Sequence, residues 1–371
     1  MADWQLSRFE ECVEPVVYTT KVQRKDFLAE GAHPIVSQEE GLINGFWDNE
    51  ADLFRVDRPV VVFGDHTRSL KFIDFDFVLG ADGVKILRPK PFLHPRFFYY
   101  QLHTAKLDSL GYARHYRLLK EHSIGYPPLP EQRRIVAILD EAFEAISMAK
   151  ANTERNLLNA REVFWSEAKS VLLRGAARWP TKTVDQLSTN LDSKRVPITK
   201  SERTAGEFPY YGASGIVDYV AEYIFDGDTL LVSEDGANLL ARSTPIAFSV
   251  SGQYWVNNHA HILKFANMAT QKFVEFYLES IPLDEYITGA AQPKLNQKAL
   301  NSIPIPIPTT LNEQAEVVDR LERIVEQSDQ LQGVYERKLA ALDELKKSLL
   351  HQAFTGQLTV KTTDQQLEAV A

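Results

Sequence analysis

The chain has 371 residues, of which 44% are hydrophobic and 25% are charged, and its formal net charge is −9. This length has room for two ordinary domains, and the composition is that of a soluble globular protein rather than a disordered one. The acidic balance argues against a protein that binds nucleic acid by bulk charge alone. It is compatible with basic residues gathered in a cleft, or with charge that a partner supplies.

The sequence gives no sign of export or of membrane insertion. Its apolar runs are strand-sized, and the N-terminal MADWQLSRFEECVEP carries acids and lacks the apolar segment of a signal peptide. The single cysteine, Cys12, excludes an intramolecular disulfide and offers no metal cluster. We therefore expect a cytoplasmic protein that does not associate with a membrane.

Residues 1–126 are typical of a mixed α/β unit. RPVVVFGDHT (Arg58–Thr67) predicts a buried strand that ends in a turn, and HPRFFYYQLHTA (His94–Ala105) has helical spacing. PPLPEQRRIVAILDEAF (Pro127–Phe143) then leads from a proline-rich connector directly into an amphipathic helix. Prolines stiffen an extended segment, and a carboxylate such as Glu131 in the first turn complements the positive end of the helix dipole.

The same order of elements returns about half the chain later. Residues 176–303 predict a second mixed α/β unit, in which GDTLLVSEDG (Gly227–Gly236) resembles the buried strand and YWVNNHAHILKF (Tyr254–Phe265) alternates like a half-buried one. PIPIPTTLNEQAEVVDRLERIV (Pro304–Val325) repeats the connector, the Glu-Gln pair and the helix. The period is much longer than that of a solenoid, so the sequence predicts a duplicated domain.

The two helical stretches have apolar residues at 3-4 spacing, which is regular in the second stretch and weaker in the middle of the first. Each would be about 60 Å long at 1.5 Å per residue. One such helix cannot bury its apolar stripe alone, so we expect the two to pair as an antiparallel coiled coil. Ordinary bundle helices inside one fold are the alternative. The predicted seam consists of Ile135, Leu139, Phe143, Ile146, Leu157, Phe164, Val317, Leu321, Ile324, Leu331, Leu342, Leu345 and Leu349.

Motifs of common catalytic sites are missing from the sequence. It has no Gly-rich phosphate loop, no Gly-x-Ser-x-Gly and no Asn-Pro-Pro-Tyr-like motif. His259 and His261 could share one face of a strand, but further ligands are not nearby in sequence, so we interpret them as structural. SEAK (Ser166–Lys169) offers half of a nuclease motif, which we interpret as solvated helix surface. We expect no catalytic residue and no metal site.

Polar and basic loops follow strands and turns at matching places in both units. Their side-chain types are those that contact phosphates and base edges in nucleic-acid complexes. The candidate DNA contacts of the first unit are Lys21, Lys25, Ser37, His66, Thr67, Arg68, Lys71, Arg114, Tyr116 and Arg117. Those of the second unit are Lys194, Arg195, Lys200, Arg203, Tyr211, Ser214, Asn238, Arg242, Gln292, Lys294 and Asn296.

These motifs carry a resemblance that covers nearly the whole chain. The repeated connector, Glu-Gln pair and long helix resemble the specificity subunits of type I restriction–modification systems, and so do LLHQAFTGQL (Leu349–Leu358), FPYYGASGIVDYV (Phe208–Val220) and GAAQPKLNQKALNSIPIPIP (Gly289–Pro308). Two features depart from that pattern. The first repeat ends SVLLRGAARW, and it has GYARHYRLL where the second has the Gln-Pro-Lys-Leu-Asn loop.

The resemblance implies an α+β fold with an internal repeat. It comprises target recognition domains at 1–128 and 176–308, spacer helices at 129–175 and 309–357, and a tail at 358–371. Each recognition domain would recognise one half of an asymmetric bipartite site in double-stranded DNA, and the helices would set the spacing.

The resemblance also implies partners. Two modification subunits would supply S-adenosylmethionine and adenine methylation, and restriction subunits would supply ATP- and Mg²⁺-dependent cleavage. No cofactor is then expected in this chain. Two alternatives are a stand-alone DNA-modifying enzyme with an unrecognised site and a scaffold that binds only protein.

Overall fold

The computed structural model describes residues 4–108, 111, 113–289 and 292–358. The chain divides into two compact units, the first formed by Met1–Glu154 with Glu336–Ala371 and the second by Arg155–Tyr335. All but the first residue of the predicted tail lies outside the described residues.

The first unit is built mainly from short strands. They are β1 (Gln5–Arg8), β2 (Val13–Glu14), β3 (Lys21–Val22), β4 (His33–Val36), β5 (Gly45–Trp47), β6 (Leu53–Phe54), β7 (Val60–Gly64), β8 (Leu70–Ile73), β9 (Phe77–Gly80), β10 (Val84–Pro89) and β11 (Ser123–Tyr126). Its short helices are α1 (Phe9–Cys12), α2 (Pro95–Leu102) and α3 (Tyr116–Glu121), with 3₁₀ turns at Arg24–Asp26 and Glu50–Asp52.

Three groups of strands form the sheets of the first unit. One sheet has the order β2-β10-β7-β8, and another has the order β3-β9-β4-β5 with β6 also paired to β9. β3 and β4 run parallel to β9, and β1 pairs with β11. All five residues of β7 are buried because the strand lies inside its sheet, which agrees with the apolar run seen in the sequence.

The second unit repeats this set of strands. They are β12 (Thr181–Thr183), β13 (Ser188–Asn190), β14 (Ala205–Gly212), β15 (Gly215–Val220), β16 (Phe225–Asp226), β17 (Thr229–Ser233), β18 (Ala247–Val250), β19 (Gln253–Val256), β20 (Ala260–Phe265), β21 (Ile287–Thr288), β22 (Lys294–Leu295) and β23 (Pro304–Pro306).

Four helices and two longer ones complete the chain. They are α4 (Leu129–Ala176), α5 (Val184–Leu187), α6 (Asn238–Ala241), α7 (Met268–Ser280), α8 (Gln297–Ser302) and α9 (Leu311–Phe354), with 3₁₀ turns at Asp192–Lys194, Lys200–Glu202 and Asp284–Tyr286. Pro130 is the second residue of α4, where its missing N–H costs no helical hydrogen bond. None of the helices among the described residues has both the length and the apolar character that spanning a membrane requires.

The sheet plan of the second unit matches that of the first. One sheet has the order β13-β20-β17-β18, a second has the order β15-β14-β19-β16, β12 pairs with β23, and β21 with β22. β14 and β19 are parallel, as β4 and β9 are in the first unit, whereas β3 of the first unit and the pair β21–β22 of the second lack a counterpart among the described residues. The edge strand β18 is capped by α7, since Glu279 accepts hydrogen bonds from the backbone N–H groups of Ile246 (2.6 Å) and Ala247 (2.7 Å). The predicted α+β fold with an internal repeat is confirmed.

The two long helices pack against each other inside each unit. In the first unit the start of α4 and the end of α9 share a core, and Lys150 pairs with Asp343 at 2.8 Å. In the second unit the end of α4 and the start of α9 share a core, and Arg320 pairs with Glu167 at 2.9 Å. The helices are therefore antiparallel, as predicted. The shared core residues of the two helices include Ile135, Leu139, Ile146, Leu342, Leu345 and Leu349 in the first unit and Ala168, Leu172, Val318 and Leu321 in the second.

The heptad prediction needs a correction near the middle of α9. Phe143, Leu157, Phe164, Val317 and Ile324 are half-buried, but the predicted seam residue Leu331 is 41% exposed. The buried position nearby is Ser328, whose hydroxyl accepts a hydrogen bond from the Gln332 amide at 3.1 Å. The helix seam is polar at this position. Burying a hydroxyl costs little free energy when the hydroxyl has a hydrogen-bond partner.

The glutamine of each Glu-Gln pair joins its long helix to the globular part of the same unit. Gln132 is fully buried, and its amide donates to the carbonyls of Pro127 (2.8 Å) and Phe92 (2.9 Å). Its carbonyl oxygen accepts from the backbone N–H of His94, the residue that precedes α2, at 2.7 Å. One side chain thus ties the proline connector, the start of α4 and the start of α2 together.

The second unit contains the same arrangement. The amide of Gln314 donates to the carbonyl of Pro308 at 2.7 Å, and its carbonyl oxygen accepts from the hydroxyl of Thr270, in the first turn of α7, at 2.7 Å. The neighbouring acid differs between repeats: Glu131 pairs with Arg134, and Glu313 accepts from the indole N–H of Trp179 at 2.9 Å. The glutamine of the pair therefore makes equivalent structural contacts in both repeats, whereas the glutamate does not.

We predict that Gln132→Leu lowers the free energy of unfolding by about 3 kcal/mol, because it leaves one buried and two partly buried backbone groups without the partner that Gln132 supplies. Urea unfolding of the purified chain measures the change. The matched control is Gln330→Leu, since Gln330 is exposed and should shift stability by less than about 0.5 kcal/mol. Equal effects of the two substitutions would contradict the role of Gln132.

Candidate nucleic-acid interface

Three loops of the first unit meet around Asp65, which follows β7. Its backbone N–H donates to the carbonyl of Gly83 at 2.7 Å, and its own carbonyl accepts from the backbone N–H of His115 at 2.8 Å. Its carboxylate accepts from the backbone N–H of Tyr116, the first residue of α3, at 2.7 Å. Asp65 is buried, so these bonds fix the loop after β7, the turn before β10 and the start of α3 together.

Gln38 brings a fourth segment to the same place. Its side-chain carbonyl accepts from the backbone N–H of His66 at 3.2 Å, and its backbone carbonyl accepts from the hydroxyls of Thr67 (2.6 Å) and Ser69 (2.8 Å). The loops around residues 34–41, 64–71 and 111–120 are separate in sequence, yet they form one surface of this unit. The structure therefore brings together most of the segments that the sequence indicated for the first unit.

Two candidates of the first unit are structural instead. Lys71 is only 4% exposed, and its ammonium donates to the carbonyl of Gly41 and, at 2.8 Å, to Asn44 Oδ1. Burial lowers its pKa to about 8. Ser37 is 3% exposed and donates to the same Asn44 oxygen at 2.9 Å. The prediction that these two side chains contact DNA is wrong, because neither is accessible.

The indicated segments of the second unit also converge. Backbone bonds join Asn257 to Tyr211 (3.0 Å) and Gly236 to Pro293 (3.0 Å), and the hydroxyl of Ser233 donates to the carbonyl of Ala213. The loops around 210–215, 233–238, 257–261 and 292–296 therefore lie side by side at the ends of β14, β17 and β20.

A network of five charged side chains holds these loops. Arg195 donates to Glu234 at 2.6 Å and lies 3.6 Å from Asp192, while Lys294 pairs with Glu234 at 3.1 Å. His261 contacts Asp192 through Nδ1 at 2.5 Å and the carbonyl of Leu295 through Nε2 at 2.7 Å. Four segments that are far apart in sequence are thus connected by charge-assisted hydrogen bonds.

Both ring nitrogens of His261 have a hydrogen-bond partner. A backbone carbonyl can only accept, so Nε2 must donate to Leu295. Burial alone would raise the pKa of Asp192, but its hydrogen bond to His261 and the nearby cations outweigh burial and hold that pKa below its ordinary value. His261 is therefore held between Asp192 and the carbonyl of Leu295.

This arrangement explains the histidine pair of the sequence. Ligand atoms of Asp192, Glu234 and His261 lie within 4.8 Å of one another. Both nitrogens of His261 are engaged in hydrogen bonds, Arg195 and Lys294 pair with Glu234, and Arg195 lies near Asp192. His259 makes a separate contact to Asp235 at 2.9 Å. Both histidines thus make contacts within the protein, and their interpretation as structural residues stays a prediction.

Three arginine candidates of the second unit make contacts within the protein. Arg195 is 15% exposed in its network, which corrects its prediction as a DNA contact. Arg203 pairs with Asp218 at 3.0 Å and lies over the Tyr210 ring. Arg242 donates to the carbonyl of Ile281 at 2.9 Å, beyond the end of α7, where a cation complements the helix dipole.

The remaining candidates divide by exposure. Exposed side chains, which keep their prediction as DNA contacts, are Lys25, Thr67, Arg68, Arg114, Arg117, Lys194, Lys200, Ser214, Gln292, Lys294 and Asn296. Half-buried ones are Lys21, His66, Tyr116, Tyr211 and Asn238. Asn296 also caps α8 by accepting from the N–H of Ala299 at 3.0 Å.

Sequence reasoning missed Lys85 in β10. Its neighbours Val84 and Ile86 are buried, whereas Lys85 is half-buried with its ammonium over the Tyr116 ring. Strand alternation would have placed Lys85 on the opposite face from those two residues. It did not indicate which loop covers that face.

We predict that Arg195→Ala destabilises the chain by about 3 kcal/mol, because it removes the guanidinium that lies between Glu234 and Asp192 and leaves Glu234 with Lys294 alone and Asp192 with His261 alone as charged partners. Urea unfolding measures this, with Arg320→Ala as the control. Arg320 makes an exposed ion pair, so its removal should cost less than about 1 kcal/mol. A chain that keeps its stability without Arg195 would contradict the network's role.

We also predict an acid-dependent contribution of the network. The pKa values of Asp192 and Glu234 are both lowered, since their hydrogen bonds and charged neighbours outweigh burial. Their stabilisation is therefore complete above about pH 5 and is lost as the pH falls through the lowered folded-state values. The stability difference between the wild-type chain and Asp192→Asn should shrink between pH 7 and about pH 2. A stability difference that stays the same over this pH range would contradict this prediction. The control is Glu322→Gln, because Glu322 is exposed.

Comparison with known proteins finds sequences that are similar to this chain. Residues 177–336 match the family model of the type I restriction modification DNA specificity domain. Over 154 residues the chain is 34% identical to a putative type I restriction enzyme specificity subunit of Haemophilus influenzae, an alignment that covers 41% of this chain and only 39% of that protein. It is 22% identical over 354 residues to the EcoR124I/EcoR124II specificity subunit of Escherichia coli, covering 86% of this chain and 84% of the relative.

The fold has a solved counterpart. A chain from a structural study of complex assembly and conformational transition of the type I R-M system superposes with a TM-score of 0.71 and 17% sequence identity, over 96% of this chain and 98% of that one. At this identity the likeness establishes the fold. The family model and the sequence relatives confirm the resemblance: the chain is similar to the specificity subunits of type I restriction enzymes, and it spans about two fifths of the Haemophilus influenzae relative's length in that alignment.

Proposed function

We propose that the chain selects the DNA sequence on which a type I restriction–modification complex acts. The globular part of each unit recognises one half of a bipartite site in double-stranded DNA. The observation that carries this proposal is the repeated sheet plan, which gathers polar loops into one surface in each unit. The side chains on the two surfaces differ, so the two half-sites should differ as well.

The long helices set the spacing of the half-sites and receive partner subunits. Support comes from the exposed apolar side chains of α4, which include Leu158 (60% exposed), Val163 (68%) and Leu173 (55%). Apolar side chains concentrated on one exposed helix are typical of a protein-binding surface. We propose that two modification subunits bind along these helices, and that restriction subunits join the full complex.

We propose further that the chain is not itself an enzyme. S-adenosylmethionine, ATP and Mg²⁺ would bind to the modification and restriction subunits, which also supply positive charge that the acidic chain lacks. The most enzyme-like cluster, around His261, supports this division, because all of its polar atoms named above are engaged in structural bonds. Methyl transfer to DNA by the purified chain alone, given S-adenosylmethionine, would contradict this part.

We predict that one heptad inserted into both α4 and α9 alters the gap between the half-sites and leaves the half-sites unchanged. The two insertions keep the helices in register, so the recognition surfaces themselves are not altered. Mapping methylated adenines by sequencing, in cells with and without the variant, measures the outcome. A matched variant with residues 176–303 exchanged for those of another specificity subunit should change one half-site only.

Methylation that does not depend on this chain would contradict the proposal. So would insertions that change the recognised bases instead of the gap. A protein-only scaffold predicts that the exchange of residues 176–303 leaves site choice as it was.

A further inference from the structure

The first unit carries a cluster of cations and tyrosines on its loop surface. We define this tyrosine–lysine cluster as Tyr18, Lys21, Lys85, Arg114 and Tyr116. Its members come from the segment before β3, from β3 itself, from β10 and from the start of α3.

One side of the cluster is fixed where the segment before β3 meets β10. The backbone N–H of Ile86 donates to the hydroxyl of Tyr18 at 3.1 Å, so the Tyr18 proton is left to donate elsewhere. The ammonium of Lys21 lies 5.1 Å from the centre of the Tyr18 ring and 3.4 Å from the carbonyl of Val84. Lys21 is thereby held beside the backbone of Lys85.

Tyr116 fixes the other side. Its backbone is anchored to Asp65, and its ring packs against Phe9 and Phe63 with centroids 6.1 and 6.3 Å apart. The ammonium of Lys85 lies 5.4 Å from the centre of the Tyr116 ring, a cation–π distance that orients a lysine without neutralising it. The exposed Arg114 stands two residues before Tyr116.

The charges of the cluster are poorly balanced by acids. Within the part of the chain that the structure describes, no ion pair joins Lys21, Lys85 or Arg114 to a carboxylate. Burial lowers the pKa of Lys21, the charges of Lys85 and Arg114 lower it further, and Asp82 acts in the opposite direction. Cations held close together with so little compensation are stabilised by an anion that binds between them.

The neighbouring Lys120 shows the contrast. Its ammonium also lies over the Tyr116 ring, at 5.5 Å, but it pairs with Glu10 at 2.7 Å. In the second unit, Arg195 and Lys294 are likewise neutralised by Glu234. The positive charge of Lys21, Lys85 and Arg114 is therefore less compensated than that of Lys120.

We propose that Lys21, Lys85 and Arg114 bind the phosphodiester backbone of DNA, with the Tyr18 hydroxyl as a neutral donor beside them. This inference rests on the proposed function and assigns Lys85 to that role for the first time. Lysine ammonium groups are point charges without the bidentate geometry that selects a base, so the cluster positions the duplex and does not select its sequence. Several cations on separate elements match successive charges of a polyanion better than one free anion.

The test uses the complex of this chain with its modification subunits. Lys85→Gln should weaken binding to all duplexes by the same factor, and the slope of log K against log salt should fall by about 0.9. Lys21→Gln should do the same. Lys120→Gln is the matched control, because Glu10 already neutralises that cation, and its slope should equal that of the wild type. Methylated half-sites should stay unchanged in every variant.

Unaltered slopes for both Lys85→Gln and Lys21→Gln would overturn the proposal, and so would a changed half-site, which would make these residues base contacts. A further outcome would assign the cluster to a free anion instead. In that outcome the salt slope of DNA binding is unaltered, and inorganic phosphate protects the wild type from thermal unfolding but does not protect Lys85→Gln. Lys85→Arg, which keeps the charge, should restore the slope and separates loss of charge from misfolding.

The outcome can be told apart from failure of the proposed function. If the wild-type complex shows no bipartite site, the proposed function fails, yet the slope on duplexes of unrelated sequence still tests the cluster. If the bipartite site is found and the slopes do not move, the cluster alone is refuted.

Discussion

A long amphipathic helix must bury its apolar stripe, and this constraint shapes the whole molecule. α4 and α9 satisfy it by pairing in opposite directions, and each compact unit contains part of both helices. The core of the first unit therefore includes residues from the end of the chain, such as Leu349 and Phe354, which packs on Phe97 at 5.1 Å. Neither unit can complete its core before both helices have been made.

Buried amides connect this helix pair to the globular part of each unit. Gln132 and Gln314 each bind the connector before the helix and the first turn of α2 or α7. Each amide forms hydrogen bonds through both its NH₂ group and its carbonyl oxygen, so the orientation of the side chain is fixed as well as its position. A shift of the long helix would therefore be transmitted to α2 or α7, and these helices pack on the sheets that carry the loops.

The two units hold their loops by different kinds of contact. The first unit uses a buried carboxylate, Asp65, and backbone hydrogen bonds. The second unit uses paired charges, and Arg195 is consumed by that task. Similar polar loops in the sequence are thus held mainly by backbone hydrogen bonds in one unit and by ion pairs in the other.

The sequence by itself determined the duplication, the two long helices and the position of the main buried strands. These features depend on periodicity and on proline and Glu-Gln spacing, which are local. Tertiary structure alone decided the fate of individual polar side chains. Lys71 is buried because Gly41 and Asn44, distant in sequence, supply acceptors for its ammonium, and Arg195 is neutralised because Glu234 and Asp192 meet there. Lys85 was not predicted, because strand alternation indicates on which face of β10 it lies but not which loop covers that face. Burying a cation is possible only where acceptors converge, and convergence is a property of the folded chain.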